Sequence, residues 1–331
     1  MRWAFLGVGR VTPRMVEAVR LAGHSITAAA ARDPVALQKW CETHQVAKST
    51  HDFHSLCDAD DIDVIYVALP PHLHTELAIR ALKSGKRVLC EKPLTAHLED
   101  SRRLHAVVSQ YPDRFCHASA FPFHPRSRAM RDLIAGGAIG EVTRATFSCS
   151  FSHVLQRGRD YRTDPSAGGG CLLDLGWYCA LATQWFTGER PSRIQAMGRR
   201  HADHGIWLSA QAIVELQSGA FAHWDCGFDA PGRKWMEIAG TKGSVICDDF
   251  LRPWDASKPR FWVHGSDGKA RSEMVGENVN QEARMIESLW ESNHHAIDLN
   301  QLTEFGFQAQ ETLAAWEYQL IETSIHPSSP Q

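Results

Sequence analysis

The chain has 331 residues, of which 44% are apolar and 22% are charged, and its formal net charge is -3 at pH 7. These are ordinary values for a globular protein, and the length predicts two domains of roughly 150 residues each. A pI near 6.6 argues against a nucleic-acid-binding protein, because such domains usually carry a basic excess. No uncharged apolar run approaches the roughly 18 residues that a membrane-spanning helix needs, and we expect no secretory signal.

Nine cysteines are spread along the chain without any Cys-x-x-Cys pair. The odd number and the spacing favour buried thiols in a reducing compartment over a disulfide framework, so we predict a cytoplasmic protein. Two histidine groups, His201-x-x-His204 and His294-His295, lack a third ligand at a recognisable spacing. We therefore predict no metal site.

The first third of the chain alternates short apolar runs with segments of helical periodicity. The predicted strands cover 3–7, 25–31, 63–69 and 87–91, and the predicted helices cover 13–21, 34–44, 75–83 and 97–109. Strands that are apolar throughout and separated by helices indicate a parallel sheet covered on both faces. Asp33 is the predicted N-cap of the second helix.

The pattern changes after about residue 120. The predicted helices cover 125–135, 171–186, 281–295 and 301–321, and the predicted strands cover 141–151, 194–198, 209–216, 220–227 and 234–239. Glycine-containing turns at 217–219 and 241–243 predict hairpins. We therefore predict a doubly wound dinucleotide-binding domain at 1–120 and an α+β domain with a large, mostly antiparallel open sheet at 121–331, with a frayed tail from 326.

The first predicted strand is followed by Gly7-Val8-Gly9 and then by a helix. Glycines in this position let the backbone approach a pyrophosphate, to which the helix N-terminus offers free N–H groups. The context favours this interpretation over an ordinary tight turn, although Thr12 stands where a third glycine or alanine is expected. After the second strand, Arg32 precedes Asp33. A guanidinium there can pair with a 2′-phosphate, which favours NADP, with NAD as the alternative.

Two further motifs are Glu91-Lys92-Pro93 at the end of the strand 87–91 and the stretch 168–178, which contains Gly168-Gly169-Gly170. Together with the first glycine turn and the segments 69–74 and 137–142, they resemble the Gfo/Idh/MocA oxidoreductase family. The resemblance covers nearly the whole chain in order. It implies a Rossmann domain, a second domain with an open sheet, and hydride transfer between a nicotinamide and a carbinol carbon of a sugar, cyclitol or diol.

Tyr178 stands where many members of that family have histidine, and this resembles a tyrosine-type branch that mostly uses NADP. The resemblance also implies a homo-oligomer, a dimer or a tetramer, formed through the second sheet. The family often has an arginine before a Phe-x-Pro at the start of the second domain, and 120–125 lacks it. The substrate of a relative is therefore not transferred to this chain.

The resemblance also assigns site residues. The expected cofactor-binding residues are Gly7, Gly9, Arg10, Val11, Arg32, Leu69, Pro70, His74, Glu91 and Lys92. Glu91 is either a cap of the strand end or a contact of the nicotinamide. Lys92 follows the carboxyl end of a parallel strand, where ligands bind in this class of sheet.

The expected catalytic residues are Lys92, Tyr178 and Asp174, and Arg162 is expected to contact the substrate. The ordinary pKa of tyrosine, about 10, is too high for a base at neutral pH, and a nearby ammonium group would lower it. Asp174 and Tyr178 are four residues apart on a predicted helix and therefore share a face. Asp174 would accept a bond from a substrate hydroxyl or hold Lys92, and the glycine run would let this helix approach the cofactor.

Two other functions stay open at this point. A hydrolase or lyase of the same family would use a tightly bound nicotinamide by transient oxidation, with the same lysine and acid–base residue. A redox-inactive binding or regulatory protein would share the fold.

Overall fold

A computed structural model describes residues 1–156, 160–290 and 297–325. The end of the helix predicted at 281–295, the pair His294-His295 and the predicted tail lie outside the described residues. The chain forms two compact units, each made of two segments. The first unit contains Met1–Phe123 and Asn280–Phe307, and the second contains His124–Val279 and Gln308–Gln331.

The first unit is a six-stranded parallel sheet with helices between its strands. The strands are β1 (Arg2–Leu6), β2 (Ser25–Ala30), β3 (Lys48–Thr50), β4 (Val64–Val67), β5 (Arg87–Cys90) and β6 (Phe115–His117). The helices are α1 (Thr12–Leu21), α2 (Pro34–His44), α3 (Phe53–Asp58), α4 (His74–Lys83) and α5 (Leu98–Val108). The strand order is β3-β2-β1-β4-β5-β6, which is the doubly wound arrangement that the alternation predicts.

The four longer strands and the four longer helices of this unit confirm the predicted elements. Every residue of β4 is fully buried, as expected for a strand covered on both faces. The elements β3, α3 and β6 were not predicted, because three to six residues are too few to show a period.

The second unit is built on an eight-stranded sheet. Its elements are α6 (Pro125–Ala135), β7 (Val142–Ser150), α7 (Trp177–Thr187), β8 (Pro191–Arg200), β9 (Trp207–Leu216), β10 (Phe221–Gly227), β11 (Arg233–Gly240), β12 (Gly243–Cys247), β13 (Arg260–Gly265) and β14 (Ala270–Met274). The order is β14-β13-β12-β11-β7-β10-β9-β8, in which only β7 and β10 pair in parallel. The hairpins β9–β10 and β11–β12 confirm the two predicted turns. The strands β13 and β14 were not predicted.

Burial alternates along the strands of the second sheet. On β9, Ala212 and Val214 are buried, whereas Gln211 is exposed and Ile213 keeps 53% of its surface accessible. One face of the sheet therefore carries the core of this unit, and the other face lies open in the single chain.

Two helices close the chain, α8 (Gln281–Trp290) and α9 (Leu299–Ile325). The first turns of α9 are fixed to β6, because His117 Nε2 donates to the Leu302 carbonyl at 2.9 Å and the Thr303 hydroxyl donates to Phe115 O at 3.0 Å. The segment Asn280–Phe307 consequently belongs to the first unit. The division predicted at residue 120 did not include this return, since its contacts join residues more than 180 positions apart.

The helix predicted at 171–186 is wrong in its first turn. Leu172–Gly176 form a π-helix, and α7 begins only at Trp177. Gly176 lets this turn pack closely against α9, because a Cβ there would lie 3.1 Å from the Trp316 ring and 3.2 Å from Leu313. All nine cysteines are free and buried, in agreement with their prediction as small core residues.

Candidate functional site

The turn after β1 contains two glycines, Gly7 and Gly9, and the structure explains the need for glycine differently at each position. Gly7 has φ +99°, and a Cβ on it would lie 2.3 Å from the Ala68 carbonyl oxygen. The protein's own backbone therefore requires glycine at this position. Gly9 has no atom within 4 Å of a Cβ position and no left-handed φ. A side chain at Gly9 would point into open space, which leaves room for the close approach of a ligand.

Thr12, which departs from the expected fingerprint, closes this turn. Its side chain is fully buried, and its hydroxyl donates to the Gly9 carbonyl at 2.7 Å. The Trp40 indole N–H donates to the same hydroxyl oxygen at 2.8 Å. A glycine would leave the indole without this acceptor, so the threonine supports the turn through α2.

The N-terminus of α1 fits a pyrophosphate. Its N-cap residue, Val11, makes no capping hydrogen bond through its side chain, and the first turn contains no acidic residue. Backbone N–H groups at an uncapped N-terminus favour an anion, and an acid in the first turn would oppose it. With the open space at Gly9, this arrangement suits the dinucleotide that the sequence predicts. Gly7, Gly9, Arg10 and Val11 would hold its phosphates, and the last three are exposed.

The end of β2 separates the roles of Arg32 and Asp33. One Asp33 carboxylate oxygen accepts the backbone N–H groups of Val35 at 2.9 Å and Ala36 at 3.1 Å, which confirms this residue as the cap of α2. Arg32 is exposed immediately before it. The carboxylate is thus engaged with the helix, whereas the guanidinium is accessible to a 2′-phosphate.

His74 connects two loops at the carboxyl edge of the parallel sheet. Its Nε2 lies 2.7 Å from Leu69 O, and its Nδ1 lies 3.1 Å from Pro93 O and 3.2 Å from Leu94 O. Burial lowers the pKa of His74 to about 4, and the hydrogen bonds to these carbonyls act in the opposite direction. The side chain has no accessible surface. These contacts hold the loops that carry Leu69, Pro70 and Lys92, and the expected contact of His74 with the cofactor stays a prediction.

Glu91 and Lys92 follow β5 at the same edge. One carboxylate oxygen of Glu91 accepts the Tyr66 hydroxyl at 2.6 Å, and the other accepts the backbone N–H of Lys92 at 3.2 Å. Burial raises the pKa of Glu91, and the hydrogen bond from Tyr66 and the charge of Lys92 oppose that rise. Of the two roles considered for Glu91, these contacts favour the cap of the strand end over the contact with the nicotinamide.

In the second unit, Arg162 lies between two buried carboxylates. Its Nε donates to Asp174 Oδ2 at 2.8 Å, and its NH1 lies 3.3 Å from Asp160 Oδ1. The Asp side chains are 2% exposed and the Arg side chain is 18% exposed. Burial alone would lower the pKa of Arg162, but the carboxylates outweigh it and hold the pKa above its usual value. The arginine therefore stays charged and oriented.

This arrangement gives Asp174 a partner that the sequence did not predict. The sequence suggested that it binds a substrate hydroxyl or holds Lys92, and the structure shows that it pairs with Arg162. Asp160 was missed. The only signal for it was its position two residues before the predicted substrate arginine, which is not specific enough to indicate a contact.

The glycines at 168–170 are required by their own loop. A Cβ at Gly169 would lie 2.6 to 2.7 Å from the carbonyl oxygens of Asp164, Arg162 and Tyr161. Gly168 and Gly170 have φ of +85° and +103°. The run thus folds the 161–170 loop onto itself beside Arg162. This explains the glycines without the close approach to a cofactor that the sequence suggested, which stays a prediction.

Tyr178 lies one residue into α7, directly after the π-helical turn, and is half-buried. The prediction that Asp174 and Tyr178 share a face assumed α-helical spacing throughout. Because a π-helix bonds residue i to i+5, the turn holding Asp174 is wider than that spacing assumes. Single π-turns within helices are frequent at functional sites, so the geometry keeps Tyr178 as a candidate acid–base residue.

Among the described residues, one group of side chains has ligand atoms close enough for a metal ion, Cys247, Asp248 and Asp249. Asp249 is already paired with the buried Arg126, whose NH1 lies 2.5 Å from its Oδ1. A guanidinium at that distance repels a cation, so we assign the group to the core of the second unit. In the histidine pair His201-x-x-His204, the His201 ring accepts the backbone N–H groups of Asp203 and His204.

Two family models match the chain. The GFO/IDH/MocA model described as an oxidoreductase family with an NAD-binding Rossmann fold matches residues 1–118, and the GFO/IDH/MocA C-terminal domain model matches residues 127–246. No helix in the described ranges combines the length and the apolar character needed to cross a membrane.

Curated relatives are similar over most of the chain. Trans-1,2-dihydrobenzene-1,2-diol dehydrogenase of Xenopus laevis is 30% identical over 256 residues, which cover 76% of each chain. D-xylose 1-dehydrogenase (NADP(+)) 2 of Haloferax volcanii is 29% identical over 270 residues, 82% of this chain and 81% of the relative. A 3-ketoreductase from Actinomadura kijaniata, solved with NADP and TDP-benzene, is similar in fold, with a TM-score of 0.83, 24% identity and coverage of 96% and 97%.

Proposed function

The chain belongs to the Gfo/Idh/MocA family of oxidoreductases, and from this premise we propose that it is an NADP-dependent oxidoreductase of a sugar, a cyclitol or a trans-diol. The observation that carries the proposal is the cradle at the end of β1. Gly9 leaves open space there, α1 begins without a side-chain cap, and Lys92 follows β5 at the same edge of the sheet. The two curated relatives act on a diol and on a sugar, which supports the substrate class.

The preference for NADP rests on Arg32. It is exposed at the end of β2, whereas the neighbouring Asp33 is engaged with α2. In NAD sites an acidic residue near this strand end binds the ribose, and an arginine accommodates a 2′-phosphate. The relative from Haloferax volcanii, which is named for NADP, supports the same choice.

A nicotinamide bound at this edge would accept or supply the hydride of the reaction. Tyr178 would take the proton of the substrate hydroxyl in oxidation and return it in reduction. Lys92 would donate a hydrogen bond to the same oxygen, and its ammonium group would stabilise the phenolate form of Tyr178. Arg162, oriented by Asp160 and Asp174, would bind a further oxygen of the substrate.

The experiment begins with a panel of sugars, inositols and diols, assayed with NADP and with NAD at the absorbance of the reduced cofactor. With the best substrate, Lys92→Met and Tyr178→Phe should each lower kcat by about 10²–10⁴-fold, the usual contribution of an acid–base group. The two side chains are proposed to act together on one proton transfer. The kcat of the double variant should therefore be only slightly lower than that of the more impaired single variant. Lys83→Met, an exposed lysine of α4, is the matched control and should retain activity.

Three results would contradict the proposal. Full additivity of the two losses, or near wild-type turnover by Tyr178→Phe, would place the acid–base residue elsewhere. Conversion of a substrate with no net change in cofactor absorbance would instead support the redox-neutral hydrolase or lyase chemistry.

We also propose a homo-oligomer through the open face of the second sheet, in a cytoplasmic protein with free thiols. The face exposes large apolar side chains, with 76% of Met197, 53% of Ile213 and 39% of Trp235 accessible in the single chain. Met197 and Ile213 lie on the adjacent strands β8 and β9, and apolar side chains that are exposed together commonly mark an interface between proteins. Light scattering should give a multiple of 37.0 kDa, and Ile213→Asp should reduce it. Val35→Asp, at a residue 74% exposed on α2, should leave the mass unchanged.

A further inference from the structure

Glu91 is held by a residue that neither the sequence motifs nor the family comparison single out. Tyr66 lies on β4 with no accessible surface, and its hydroxyl donates to Glu91 Oε1 at 2.6 Å. Its ring packs edge-on against Phe5 of β1, with the centroids 5.0 Å apart. The phenol therefore has one fixed position from which to reach the carboxylate.

The contact crosses two paired strands and ends next to Lys92. β4 and β5 run parallel, with Val67 opposite Cys90, and the Glu91 N–H continues the ladder by donating to Val67 O at 2.9 Å. The second oxygen of the carboxylate accepts the Lys92 N–H at 3.2 Å. The Glu91 side chain thus joins the interior of the sheet to the backbone of Lys92.

From this geometry we propose that Tyr66 is a positioning residue of the reaction: it keeps the Glu91 carboxylate charged and in one orientation, and Glu91 in turn fixes the backbone and the electrostatic environment of Lys92. The inference rests on the proposed function insofar as Lys92 is taken to bind the substrate oxygen. The contact itself lies within the first unit and does not depend on the identity of the substrate.

The charges around Glu91 explain why the phenol is needed. Burial raises the pKa of Glu91, and the buried Glu282 of α8 raises it further. The Tyr66 hydroxyl, the Lys92 charge and the Lys92 N–H oppose this rise. Burial also raises the pKa of Tyr66 well above that of an ordinary tyrosine, as do Glu91, Glu282 and Cys90. The phenol is therefore the proton donor in this contact, and the carboxylate is the acceptor.

Removal of the hydroxyl has a consequence with a definite sign. Tyr66→Phe takes away a donor to the charged form of Glu91, so its carboxylate should bind a proton at a higher pH. A hydrogen bond to a charged group typically corresponds to a change of about one pH unit, or roughly tenfold in proton affinity. Below that pH, the negative charge beside Lys92 is lost.

The first test does not need a substrate. In an infrared titration of the full-length protein, the band of a protonated carboxyl group should disappear about one pH unit higher in Tyr66→Phe than in the wild type, as expected for the loss of one charge-assisted bond. Glu91→Gln should lack this step. Tyr318→Phe is the matched control, because it also removes a tyrosine hydroxyl that donates to a glutamate, Glu322. Tyr318 is 61% exposed, and this variant should leave the Glu91 step unchanged. An unchanged step in Tyr66→Phe would overturn the proposal.

The second test measures the consequence for the site. In Tyr66→Phe, the acidic limb of the pH profile of kcat/KM should move to higher pH. At pH values above this limb, kcat/KM should return towards the wild-type value. A purely structural defect would instead lower turnover at every pH. In the Glu91→Gln background, Tyr66→Phe should cause no further shift, whereas an additional shift there would contradict the proposed route through Glu91.

A failure of the proposed function gives a different result. If the wild type turns over no sugar, inositol or diol, the NADPH affinity, followed by nucleotide fluorescence, takes the place of kcat/KM in the same comparison. The positioning role at the cofactor would be supported if the acidic limb of NADPH affinity moved to higher pH in Tyr66→Phe and this shift were absent in the Glu91→Gln background. Identical pH profiles of NADPH affinity in the wild type and Tyr66→Phe would overturn that role.

Discussion

The two units build their candidate site residues in different ways. In the first unit, the cradle is made by backbone: the path of the turn at Gly7, the open space at Gly9 and the uncapped start of α1. In the second unit, the corresponding feature is a network of side chains, in which Arg162 is fixed by two buried carboxylates. Its glycines serve the loop that supports this network.

This difference has a physical origin. A pyrophosphate is recognised by N–H groups, which every residue supplies, so the first unit needs only a specific backbone path. A substrate with several hydroxyl groups requires donors and acceptors at specific places, which only side chains provide. The first unit should therefore respond most strongly to changes at glycines, and the second to changes in buried charge.

The largest effect is expected at the buried ion pair of the second unit. Arg126 and Asp249 have side chains only 1% and 7% exposed, and Arg126 also donates to the carbonyls of Asp249 and Arg260. Arg126→Met leaves a buried carboxylate without its partner, which should lower the free energy of unfolding by about 3–5 kcal/mol. Urea unfolding measures this loss.

An exposed pair provides the comparison. Arg199 is 66% exposed and pairs with Asp229, so Arg199→Met should cost less than about 1 kcal/mol. Asp249→Asn added to Arg126→Met should recover part of the stability, because it removes the unpaired charge. Equal losses for the two arginine variants would show that burial does not set the strength of these pairs.

The next effect compares the two glycines of the first turn. Gly7→Ala combines a left-handed φ with a Cβ 2.3 Å from the Ala68 oxygen, so unfolding should become easier by on the order of 2–4 kcal/mol. Gly9→Ala places its methyl group in open space and should change the stability by less than about 1 kcal/mol. NADPH binding to Gly9→Ala should nevertheless weaken by about tenfold or more, since the methyl group occupies the approach of the pyrophosphate.

Thermal unfolding and nucleotide fluorescence separate these two roles. Unchanged NADPH affinity in Gly9→Ala would contradict the assignment of this turn as the cofactor site. A fully stable Gly7→Ala would mean that the turn relaxes without the contact to Ala68.

The same division decides what the sequence predicts. Asp33 was predicted as a cap because its partners, Val35 and Ala36, follow within three residues, and local signals of this kind are visible in a sequence. The parallel sheet was also predictable from the sequence, because its longer strands are mostly apolar and alternate with helical segments.

Other features depend on distant parts of the chain. Tyr66 reaches Glu91 across 25 residues, and His117 reaches Leu302 across 185, and neither pairing leaves a local pattern. The π-helix at Leu172–Gly176 was missed for a different reason, since the apolar pattern there is compatible with an ordinary α-helix. Gly176, at the end of this segment, packs closely against Trp316 and Leu313 of α9, and no local periodicity predicts such a distant contact.

The last prediction concerns Arg32, the charged side chain that we propose as the partner of the 2′-phosphate. Arg32→Ala should weaken the binding of NADPH by about 1.5–3 kcal/mol, the usual contribution of a charge-assisted hydrogen bond, and should leave NADH binding unchanged. Asp33 still caps α2 in this variant, so the fold of the strand end is retained. Arg102→Ala, at an exposed arginine of α5, removes the same charge from the same unit and should affect neither cofactor. Calorimetry with both nucleotides distinguishes the possibilities, because an equal loss for NADPH and NADH would mean that Arg32 supports the adenosine as a whole and that its charge does not select the 2′-phosphate.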